Sequence, residues 1–498
     1  MKNINSIEGN PADTNLLEVK AAVNAAQAAA RSLGGLQPGS RAAMLRAIAD
    51  RLDSAADDLV NLAAEETNLG EQRLRGELKR TTFQLRLFGR VLDDGRYLGV
   101  IIDPPDPQWP SGARSDLRRV LRPLGPVAVF AASNFPFAFS VAGGDTASAL
   151  AAGCPVVVKA HPGHPRLSRF TYELVLDALS TTETPPGTFG IIYGEPAGRF
   201  LILEPGISAA SFTGSLRGGR ALFELATTRP IPIPFYGEMG SLNPVFVTSN
   251  ALLARRDTIL RGFVESFTLG DGQFCTKPGV LVVPNDAGVE EEVAEMVAGW
   301  PRSKLLNDHI QQSYLDQFAR LRDHPAVVSL VDGSTDVDGD TAPSLLAATG
   351  AEVIANREEL LVECFGPVSL IVTYQDDDEL LAIADAFEGQ LTAGIQGEVG
   401  DDILPALLEQ LAERAGRLLW NEWPTGVAVT SAMHHGGPYP ATTAPLHTSV
   451  GTTAIQRFLR PVSYQSVPNY LLPEALRDGN PLGLLRSSAT LIVSDLST

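Results

Sequence analysis

The sequence predicts an α/β protein built on parallel sheets. Short apolar runs alternate along the chain with stretches that carry apolar residues at helical spacing. Parallel strands need crossover helices between them, so both faces of such a sheet are expected to be covered. At 498 residues the chain is too long for one core. We therefore expect two or three domains.

Charge and composition narrow the range of partners. The net charge is −19, so the surface repels nucleic acids and anionic membranes, and neither is expected as a partner. No apolar run is long enough for a transmembrane helix. The three cysteines are far apart and odd in number, and the first residues are polar rather than an apolar signal core. Both features predict a cytoplasmic protein.

The first part of the chain is predicted to be helical. Residues 16–67 predict two or three amphipathic helices, and Ser40 is expected to cap the second. A further helix is expected at 71–95, with six basic residues along it: Arg73, Arg75, Lys79, Arg80, Arg86 and Arg90. Such a run is typically a solvated face. The alternative is a binding site for a carboxylate in an otherwise acidic protein.

Two series of strands and helices follow a crossing loop at 103–116. The first series has predicted strands at 127–130, 156–158, 190–193 and 209–213, and helices at 138–152 and 165–179. The second has strands near 243–247, 280–283 and 368–372, an acidic helix start at 376–379, and ends near 421. We place the domain boundary near Ser241. Ligands are expected beyond the carboxyl ends of the strands.

One cysteine lies in a stretch that a ligand can approach closely. Cys275 stands in Gly-Asp-Gly-Gln-Phe-Cys-Thr-Lys-Pro-Gly at 270–279, among glycines and small polar residues. A single cysteine is most often a small buried apolar residue. The alternative is a nucleophile, because a thiolate attacks a carbonyl carbon readily.

Two further residues suit a carbonyl reaction. Glu238 lies between glycines at 236–241, where a carboxylate with a raised pKa can act as a general base. The alternative is a residue of a surface turn. Asn134 follows the strand at 127–130, and its amide can donate to a developing oxyanion. The alternative is a turn asparagine bonded to its own backbone.

Three stretches suit a phosphate or a ribose. Phe-Thr-Gly-Ser at 212–215 lies between a strand and a helix, where backbone amides and the helix N-terminus favour a phosphate. Its spacing is not GxGxxG, so an ordinary turn is equally consistent. Lys159 follows a strand and could reach a ribose or a phosphate, and the alternative is a solvated lysine. Glu-Cys-Phe-Gly-Pro at 363–367 is by itself typical of a turn.

In combination these stretches resemble the aldehyde dehydrogenase superfamily. The motifs occur in the family's order: Asn134, Lys159, Phe-Thr-Gly-Ser at 212–215, Gly-Glu-Met-Gly at 237–240, Gly-Gln-Phe-Cys at 272–275 and Glu-x-Phe-Gly-Pro at 363–367. The resemblance covers about residues 16–470. The segments 80–88 and 131–165 resemble the NADP-accepting branch. That branch includes α-ketoglutaric semialdehyde (2,5-dioxovalerate) dehydrogenases and the fatty aldehyde dehydrogenase of luminous bacteria.

The resemblance implies the aldehyde dehydrogenase fold. Its parts would be a Rossmann-like cofactor domain at 1–102 and 123–240, an α/β catalytic domain at 241–443, and a β oligomerisation arm with the tail at 103–122 and 444–498. A homodimer or homotetramer is implied as well.

The resemblance also implies roles for single residues. Cys275 would be the nucleophile and Glu238 the general base, and Asn134 with the backbone N–H of Cys275 would form the oxyanion hole. The cofactor would be held by Lys159, Phe212, Gly214, Ser215, Glu363 and Phe365. Gln273 and Phe274 are expected to be walls of the substrate tunnel, with Thr276 and Lys277 nearby.

The implied cofactor is NADP or NAD, with NADP preferred. Many NAD-specific members carry a glutamate three residues after the lysine, and Pro162 stands there in this chain. No carboxylate at that position would then repel a 2′-phosphate. Arg199 could pair with that phosphate, and the alternative is a surface arginine. The substrate expected from the resemblance is α-ketoglutaric semialdehyde, oxidised to 2-oxoglutarate, with the basic helix as a carboxylate anchor.

Other functions stay open. A fatty or broad-specificity aldehyde dehydrogenase, a CoA-acylating enzyme and a non-catalytic relative are the alternatives. Glu238 argues against the acylating enzyme, since such enzymes usually lack this base. No metal site is predicted, because the His-His-Gly-Gly-Pro run at 434–438 has no cysteine or carboxylate at ligand spacing. That run is expected to be a loop near the substrate entrance, and Cys364 to be inert core.

Overall fold

A computed structural model describes residues 9–286, 288–333, 335–336 and 339–487. The helices are α1 (Leu16–Gly35), α2 (Pro38–Ser54), α3 (Ala56–Thr67), α4 (Glu71–Asp94), α5 (Gly144–Ala152), α6 (Pro165–Ser180), α7 (Glu195–Leu203), α8 (Leu216–Thr228), α9 (Ser249–Thr268), α10 (Val289–Ala298), α11 (Asp308–Arg322), α12 (Gly350–Ala355), α13 (Arg357–Leu360), α14 (Asp377–Ala386) and α15 (Leu404–Arg414). Residues 1–8 of the predicted cofactor domain and residues 488–498 of the predicted tail lie outside the described residues.

The strands form three sheets. They are β1 (Ile101–Asp103), β2 (Leu117–Pro123), β3 (Val127–Phe130), β4 (Val156–Lys159), β5 (Phe189–Ile192), β6 (Ala209–Thr213), β7 (Phe235–Glu238), β8 (Val245–Val247), β9 (Val280–Pro284), β10 (Val328–Val331), β11 (Ser344–Thr349), β12 (Val368–Tyr374), β13 (Gln390–Gln396), β14 (Ala415–Trp420) and β15 (Leu459–Gln465). Among the described residues, no helix combines the length and apolar character needed to cross a bilayer.

The first sheet is parallel, with strand order β5-β4-β3-β6-β7. Alternate side chains enter two cores, because successive side chains of a strand point to opposite faces. Val127 and Val129 pack in a core with the helices α2–α6, whereas Ala128 and Phe130 pack with α1 and α7. The prediction of a covered parallel sheet is confirmed here.

The second sheet has the order β10-β11-β12-β9-β8-β13-β14. All neighbouring pairs are parallel except the edge pair of β10 and β11, which is antiparallel. Its two faces also alternate, since Val280 and Val282 pack in one core and Leu281 and Val283 in another. The acidic helix start is confirmed, because the Asp376 side chain caps α14 by accepting from Glu379 N.

The third sheet joins distant parts of the chain. It is antiparallel, with the order β1-β2-β15, and its register pairs Val462 with Val120. The crossing segment and the tail therefore lie side by side. Strand β15 ends at Gln465, and Ser466 follows it at φ 52°.

Two local predictions were wrong. The helix predicted at 138–152 begins only at Gly144, since the preceding residues form turns that pack against the first core. Ser40 does not cap α2, because Pro38 already occupies the first turn and Ser40 bonds to Glu183 instead. The shortened helix leaves the residues after β3 free to line a site.

Candidate active site

The carboxyl edge of the first sheet gathers four of the predicted site residues. Asn134 follows β3, Lys159 ends β4, Ser215 follows β6 and Glu238 ends β7. Strands β6 and β7 are paired so that Thr213 lies opposite Glu238. Parallel strands bring their carboxyl ends to one edge, which is where α/β sheets bind ligands.

The thiol comes from the segment between α9 and β9. The backbone of this segment turns sharply through Gly270, Asp271 and Gly272, all at positive φ. A Cβ at position 272 would lie 2.2 Å from the carbonyl oxygen of Gly366, so only glycine fits there. Cys275 is partly exposed, whereas Cys154 and Cys364 are buried, and all three are free thiols. Burial raises the pKa of Cys364 to about 12, consistent with an inert core residue.

A histidine joins the cysteine to the glutamate. The Nε2 atom of His435 lies 3.5 Å from Cys275 Sγ and 2.8 Å from Glu238 Oε1. One ligand-type atom from each of the three side chains lies within 4.8 Å of the others. A metal is not needed to explain this set, because a thiol, an imidazole and a carboxylate in contact also form a nucleophile with its proton acceptors.

The segment after β14 brings the histidine to this place. Met239 N donates to Ala441 O at 2.8 Å, and Glu238 forms a β-bridge with Thr442, so this segment lies across the end of β7. Ser449 in the same segment donates to Glu238 Oε2 at 2.6 Å. Both carboxylate oxygens of Glu238 are thus hydrogen-bonded, and the residue is 3% exposed.

The charges in the cluster act on one another. Burial raises the pKa of the Glu238 carboxyl, but the charge of His435 and hydrogen bonds from His435, Ser449 and Cys275 outweigh it, so the pKa lies below its ordinary value. Burial and the Glu238 carboxylate raise the pKa of the Cys275 thiol well above its usual range, against the opposing charge of Arg80. The cysteine therefore rests as a thiol and must lose its proton before it can attack.

The asparagine lies against the cysteine loop. Asn134 Nδ2 donates to Gln273 O at 3.1 Å, two residues before the cysteine, and the residue is 8% exposed. Arg73 holds Asn134 from the other side, by donating from Nη2 to its backbone carbonyl oxygen at 2.7 Å. Because an amide nitrogen carries two hydrogens, Asn134 keeps one donor for a ligand.

The basic residues of α4 divide into two faces. Arg73, Glu77 and Arg80 follow one another at helical spacing and form the inner face, which points to the site. Glu77 is buried, and its Oε1 accepts from the backbone N–H groups of Phe137 and Ala138, which fixes the loop after Asn134. Burial raises the pKa of Glu77.

The outer face of α4 is a solvated surface. Arg75 pairs with Asp57 and Glu71, and Arg86 pairs with Asp50 and Asp53. Lys79 and Arg90 are exposed. The prediction of a solvated basic face is therefore confirmed for the outer face, and a carboxylate site on the inner face stays a prediction.

An apolar wall lies beside the thiol. Its members come from the loop after β3, the cysteine segment and the chain after β14: Ala132, Phe135, Ala138, Phe139, Phe274, Val427, Val429, Met433 and Val450. The rings of Phe135 and Phe274 meet edge to face at 5.3 Å. The predicted wall residue Phe274 belongs to it.

Two other residues near the thiol lie elsewhere than predicted. Gln273 is fully buried and accepts from Leu306 N at 2.8 Å, so its side chain points away from the wall. Lys277 is also buried and donates to three carbonyl oxygens, those of Cys364, Gly366 and Val368. It ties the cysteine segment to the segment of Glu363 and has no donor left for a substrate.

The residues proposed for a cofactor lie around the same sheet edge. Gly214 N donates to Glu238 O at 3.1 Å, and the Ser215 side chain caps α8 by accepting from Gly218 N. Phe212 is half-buried and stacks with Phe235 at 6.2 Å. The N-terminus of α8 is therefore open to an anion. The turn that leads into this helix contacts Glu238 through Gly214.

Lys159 and Glu363 lie in confined places. Burial lowers the pKa of Lys159, whose charge faces the carboxylates of Glu195 and Asp13. Burial raises the pKa of Glu363 to about 7, and the charge of Lys277 opposes this. A Cβ at Gly240 would lie 2.4 Å from Glu363 Oε2, so this glycine makes room for the carboxyl group.

The last two predicted cofactor residues differ in exposure. Phe365 is partly buried and packs on the first core. Arg199 is exposed on α7, on the helix that also carries Glu195.

His435 is the functional residue that the sequence interpretation missed. The prediction of an entrance loop was wrong for this residue, which is 1% exposed and contacts both Cys275 and Glu238. The only signal was a histidine pair beside two glycines. Nothing in the local pattern shows that the segment lies across the end of β7.

Taken together, the fold and the site place a free thiol, an imidazole and a carboxylate in contact beside the carboxyl edge of a parallel sheet. The chain belongs to the aldehyde dehydrogenase family: the model of the Aldehyde dehydrogenase family matches residues 6–440. It is an oxidoreductase that acts on aldehydes, and the family uses NAD or NADP.

Relatives and solved structures agree with this membership. The chain is 47% identical over 453 residues to alpha-ketoglutaric semialdehyde dehydrogenase 2 of Azospirillum brasilense, covering 90% of this chain and 86% of the relative. It is 43% identical over 454 residues to the enzyme of that name from Acinetobacter baylyi, again covering 90% and 86%. A mutant of aldehyde dehydrogenase C from Pseudomonas syringae, in complex with NAD+ and octanal, shares the fold with a TM-score of 0.77 at 21% identity, covering 91% and 90%.

Proposed function

We propose that the protein oxidises α-ketoglutaric semialdehyde (2,5-dioxopentanoate) to 2-oxoglutarate with NADP or NAD. The observation that carries this proposal is the contact of Cys275, His435 and Glu238 beside an apolar wall and the inner face of α4. The two relatives above 40% identity bear the name of this activity, which supports the choice of substrate. A semialdehyde with a distal carboxylate suits a site that combines a thiol with buried arginines.

The nucleophile is generated within the cluster. The thiol of Cys275 gives its proton to the Glu238 carboxylate, which His435 holds by donating from Nε2 to Oε1 at 2.8 Å, and Glu238 passes this proton to solvent before hydrolysis. The sulfur then bonds to the aldehyde carbon and forms a thiohemiacetal. Asn134 and the backbone N–H of Cys275 would stabilise the alkoxide oxygen.

The second half of the reaction needs water. When bound, the nicotinamide ring supplies the hydride acceptor of the oxidation. The thioester left on Cys275 is hydrolysed by a water molecule that gives a proton to Glu238, whose lowered pKa keeps it ionised at neutral pH. The products are the carboxylic acid and the free thiol.

The cofactor fits the residues at the edge of the first sheet. Ser215 and the turn at 212–215 would hold the pyrophosphate at the N-terminus of α8, and Lys159 and Glu363 would hold the riboses. Phe212, Gly214 and Phe365 would shape the cleft around them. The space left by Gly240 beside the Glu363 carboxyl is the feature that supports this fit.

We propose NADP as the preferred cofactor. Pro162 leaves no carboxylate at its position, and Arg199 is exposed on α7. The nearby charge of Glu195 works against a 2′-phosphate, so the preference should be modest. Dissociation constants for NADP and NAD in the wild type and Arg199→Ala test this. An unchanged preference would remove Arg199 from the site.

The proposed division of the chain into three parts follows the three sheets. Residues 1–102 and 123–240, which include the first sheet, would bind the dinucleotide, and 241–443 would carry the thiol. The third sheet would form the oligomerisation arm of a homodimer or homotetramer, from 103–122 and 444–498. The three free thiols suit a reducing cytosol.

A panel of aldehydes tests the proposed substrate. We expect the highest kcat/KM with α-ketoglutaric semialdehyde, lower values with other carboxylated semialdehydes, and the lowest with neutral aldehydes of equal length. Higher efficiency with a long-chain neutral aldehyde would contradict the proposal and favour a fatty aldehyde dehydrogenase. Product analysis with and without coenzyme A tests the acylating alternative, which predicts a CoA thioester.

A further inference from the structure

One guanidinium beside the thiol lacks hydrogen-bond partners. The Nε and Nη2 atoms of Arg80 are buried, and neither has a hydrogen-bond partner among the residues that the structure describes. A buried charged donor without a partner costs free energy, so such a group is unusual unless a ligand completes it. The charge of Arg80 interacts with those of Cys275 and Glu238, so this guanidinium lies at the reacting end of the site.

Neighbouring arginines differ from Arg80 in what they already hold. Arg73 donates to Asn134 O, and Arg417 donates to the carbonyl oxygens of Pro424 and Gly426. Each therefore has at least one donor tied to backbone that shapes the site, although Arg73 Nε and Nη1 and Arg417 Nε are also buried without a hydrogen-bond partner among the described residues. Glu77 lies on the same face of α4 and its charge acts on Arg80, but its Oε1 is occupied by two backbone N–H groups and its Oε2 makes no hydrogen bond to Arg80.

The position of Arg80 suits a carboxylate on a short carbon chain. Its guanidinium lies 5.5 Å from the centre of the Phe139 ring, and Phe139 in turn lies 6.3 Å from the ring of His435. Phe139 also belongs to the apolar wall. A substrate can thus place its carbonyl at Cys275, its methylene groups on the wall and its carboxylate at the free nitrogens of Arg80.

We propose that Arg80 is the specificity-determining residue that binds the distal carboxylate of the substrate. The inference rests on the proposed function and extends it to any aldehyde with a carboxylate at the far end of a short chain. Planar guanidinium donors match the two oxygens of a carboxylate, so a lysine should replace Arg80 only in part. A rival role is activation of the thiol by the positive charge alone.

Matched substrates separate the two roles. We expect Arg80→Gln to lower the ratio of kcat/KM for carboxylated over neutral aldehydes of equal length on the order of 10²-fold, mainly through KM. Arg80→Lys should lie between it and the wild type. Arg86→Gln, on the outer face of the same helix, is the control and should leave the ratio unchanged. Equal losses with both kinds of aldehyde would overturn the proposal and favour thiol activation.

A second readout does not depend on the natural substrate. Iodoacetate and iodoacetamide alkylate the same thiolate, so the ratio of their rates at Cys275 cancels any change in its pKa. Arg80→Gln should lower the ratio of iodoacetate to iodoacetamide by about 10-fold, and an unchanged ratio would overturn the role of Arg80. If the wild type prefers a carboxylated aldehyde other than α-ketoglutaric semialdehyde, the substrate proposal fails while Arg80 can still pass both tests.

Discussion

The two faces of helix α4 carry similar residues in opposite environments. On the outer face, Arg86 is 38% exposed and pairs with the carboxylates of Asp50 and Asp53. On the inner face, Arg80 is largely buried, has free donors and acts on the thiol through its charge. Exposed ion pairs contribute little free energy because water screens them, whereas buried charges without partners are costly. This difference supports our proposal that the charge of Arg80 is kept for a ligand rather than for stability.

The same contrast separates the cysteines. Cys364 is buried, and its thiol donates to the carbonyl oxygen of Tyr314 at 3.8 Å. Cys275 contacts His435 and feels the charges of Glu238 and Arg80. Reactivity follows the surroundings of a thiol, so one of the two should react and the other should not.

The largest effect is expected from removal of the thiol. Cys275→Ala should lower kcat by about 10⁴-fold or more, because no other group can form the covalent intermediate. Reduction of the nicotinamide, followed by absorbance, measures the loss, and NADP binding should be retained. Cys364→Ala is the control and should keep near-normal kcat. Equal losses in both variants would break the contrast between the cysteines.

A smaller effect is expected when Glu238, the proposed general base, is replaced. Glu238→Gln should lower the steady-state rate by about 10²–10⁴-fold, because the thioester is no longer hydrolysed efficiently. The first turnover should be slowed less than later turnovers, so rapid mixing should show a burst of reduced nicotinamide. A burst followed by a normal steady-state rate would exclude Glu238 from hydrolysis.

The role proposed for His435 predicts a change in the pH dependence of kcat/KM. Since the pKa of the Cys275 thiol is raised, kcat/KM should rise with pH as the cluster loses a proton. His435→Gln should lower the rate by about 10–10²-fold, because Glu238 loses the Nε2–H donor that holds it as the proton acceptor. The variant also removes the charge that lowers the pKa of Glu238, so the loss of deacylation in acid should begin at a higher pH. Identical pH profiles of the variant and the wild type would contradict this role.

The smallest effect is expected on the outer face of α4. Arg86→Gln should change the free energy of unfolding by less than about 1 kcal/mol, since solvent screens its ion pairs. Urea denaturation measures the stability, and kcat/KM should stay at the wild-type value with every aldehyde. A selective loss with carboxylated aldehydes would show that the two faces do not differ as proposed.

Much of the fold and part of the site could be predicted from the sequence. Particular residues show which features could not. The strands β3, β4 and β6 were predicted because apolar runs between helices have a local signature, and the family motifs located Cys275 and Glu238. The contact of His435 depends on a segment that packs across the end of β7, about 197 residues from Glu238 in the chain. Arg80 and Arg86 look alike in sequence, and only the packing of α4 shows which one faces the thiol.

The central claim is that Cys275 carries a thioester that Glu238 helps to hydrolyse. Glu238→Gln, mixed with NADP and a carboxylated semialdehyde and quenched in acid, allows the acyl group to be located by peptide mass spectrometry. We predict an adduct of the acyl mass on the peptide of Cys275, removable by hydroxylamine and absent without NADP. Nicotinamide reduction with no adduct on Cys275, or with an adduct on Cys154 or Cys364 instead, would contradict the claim.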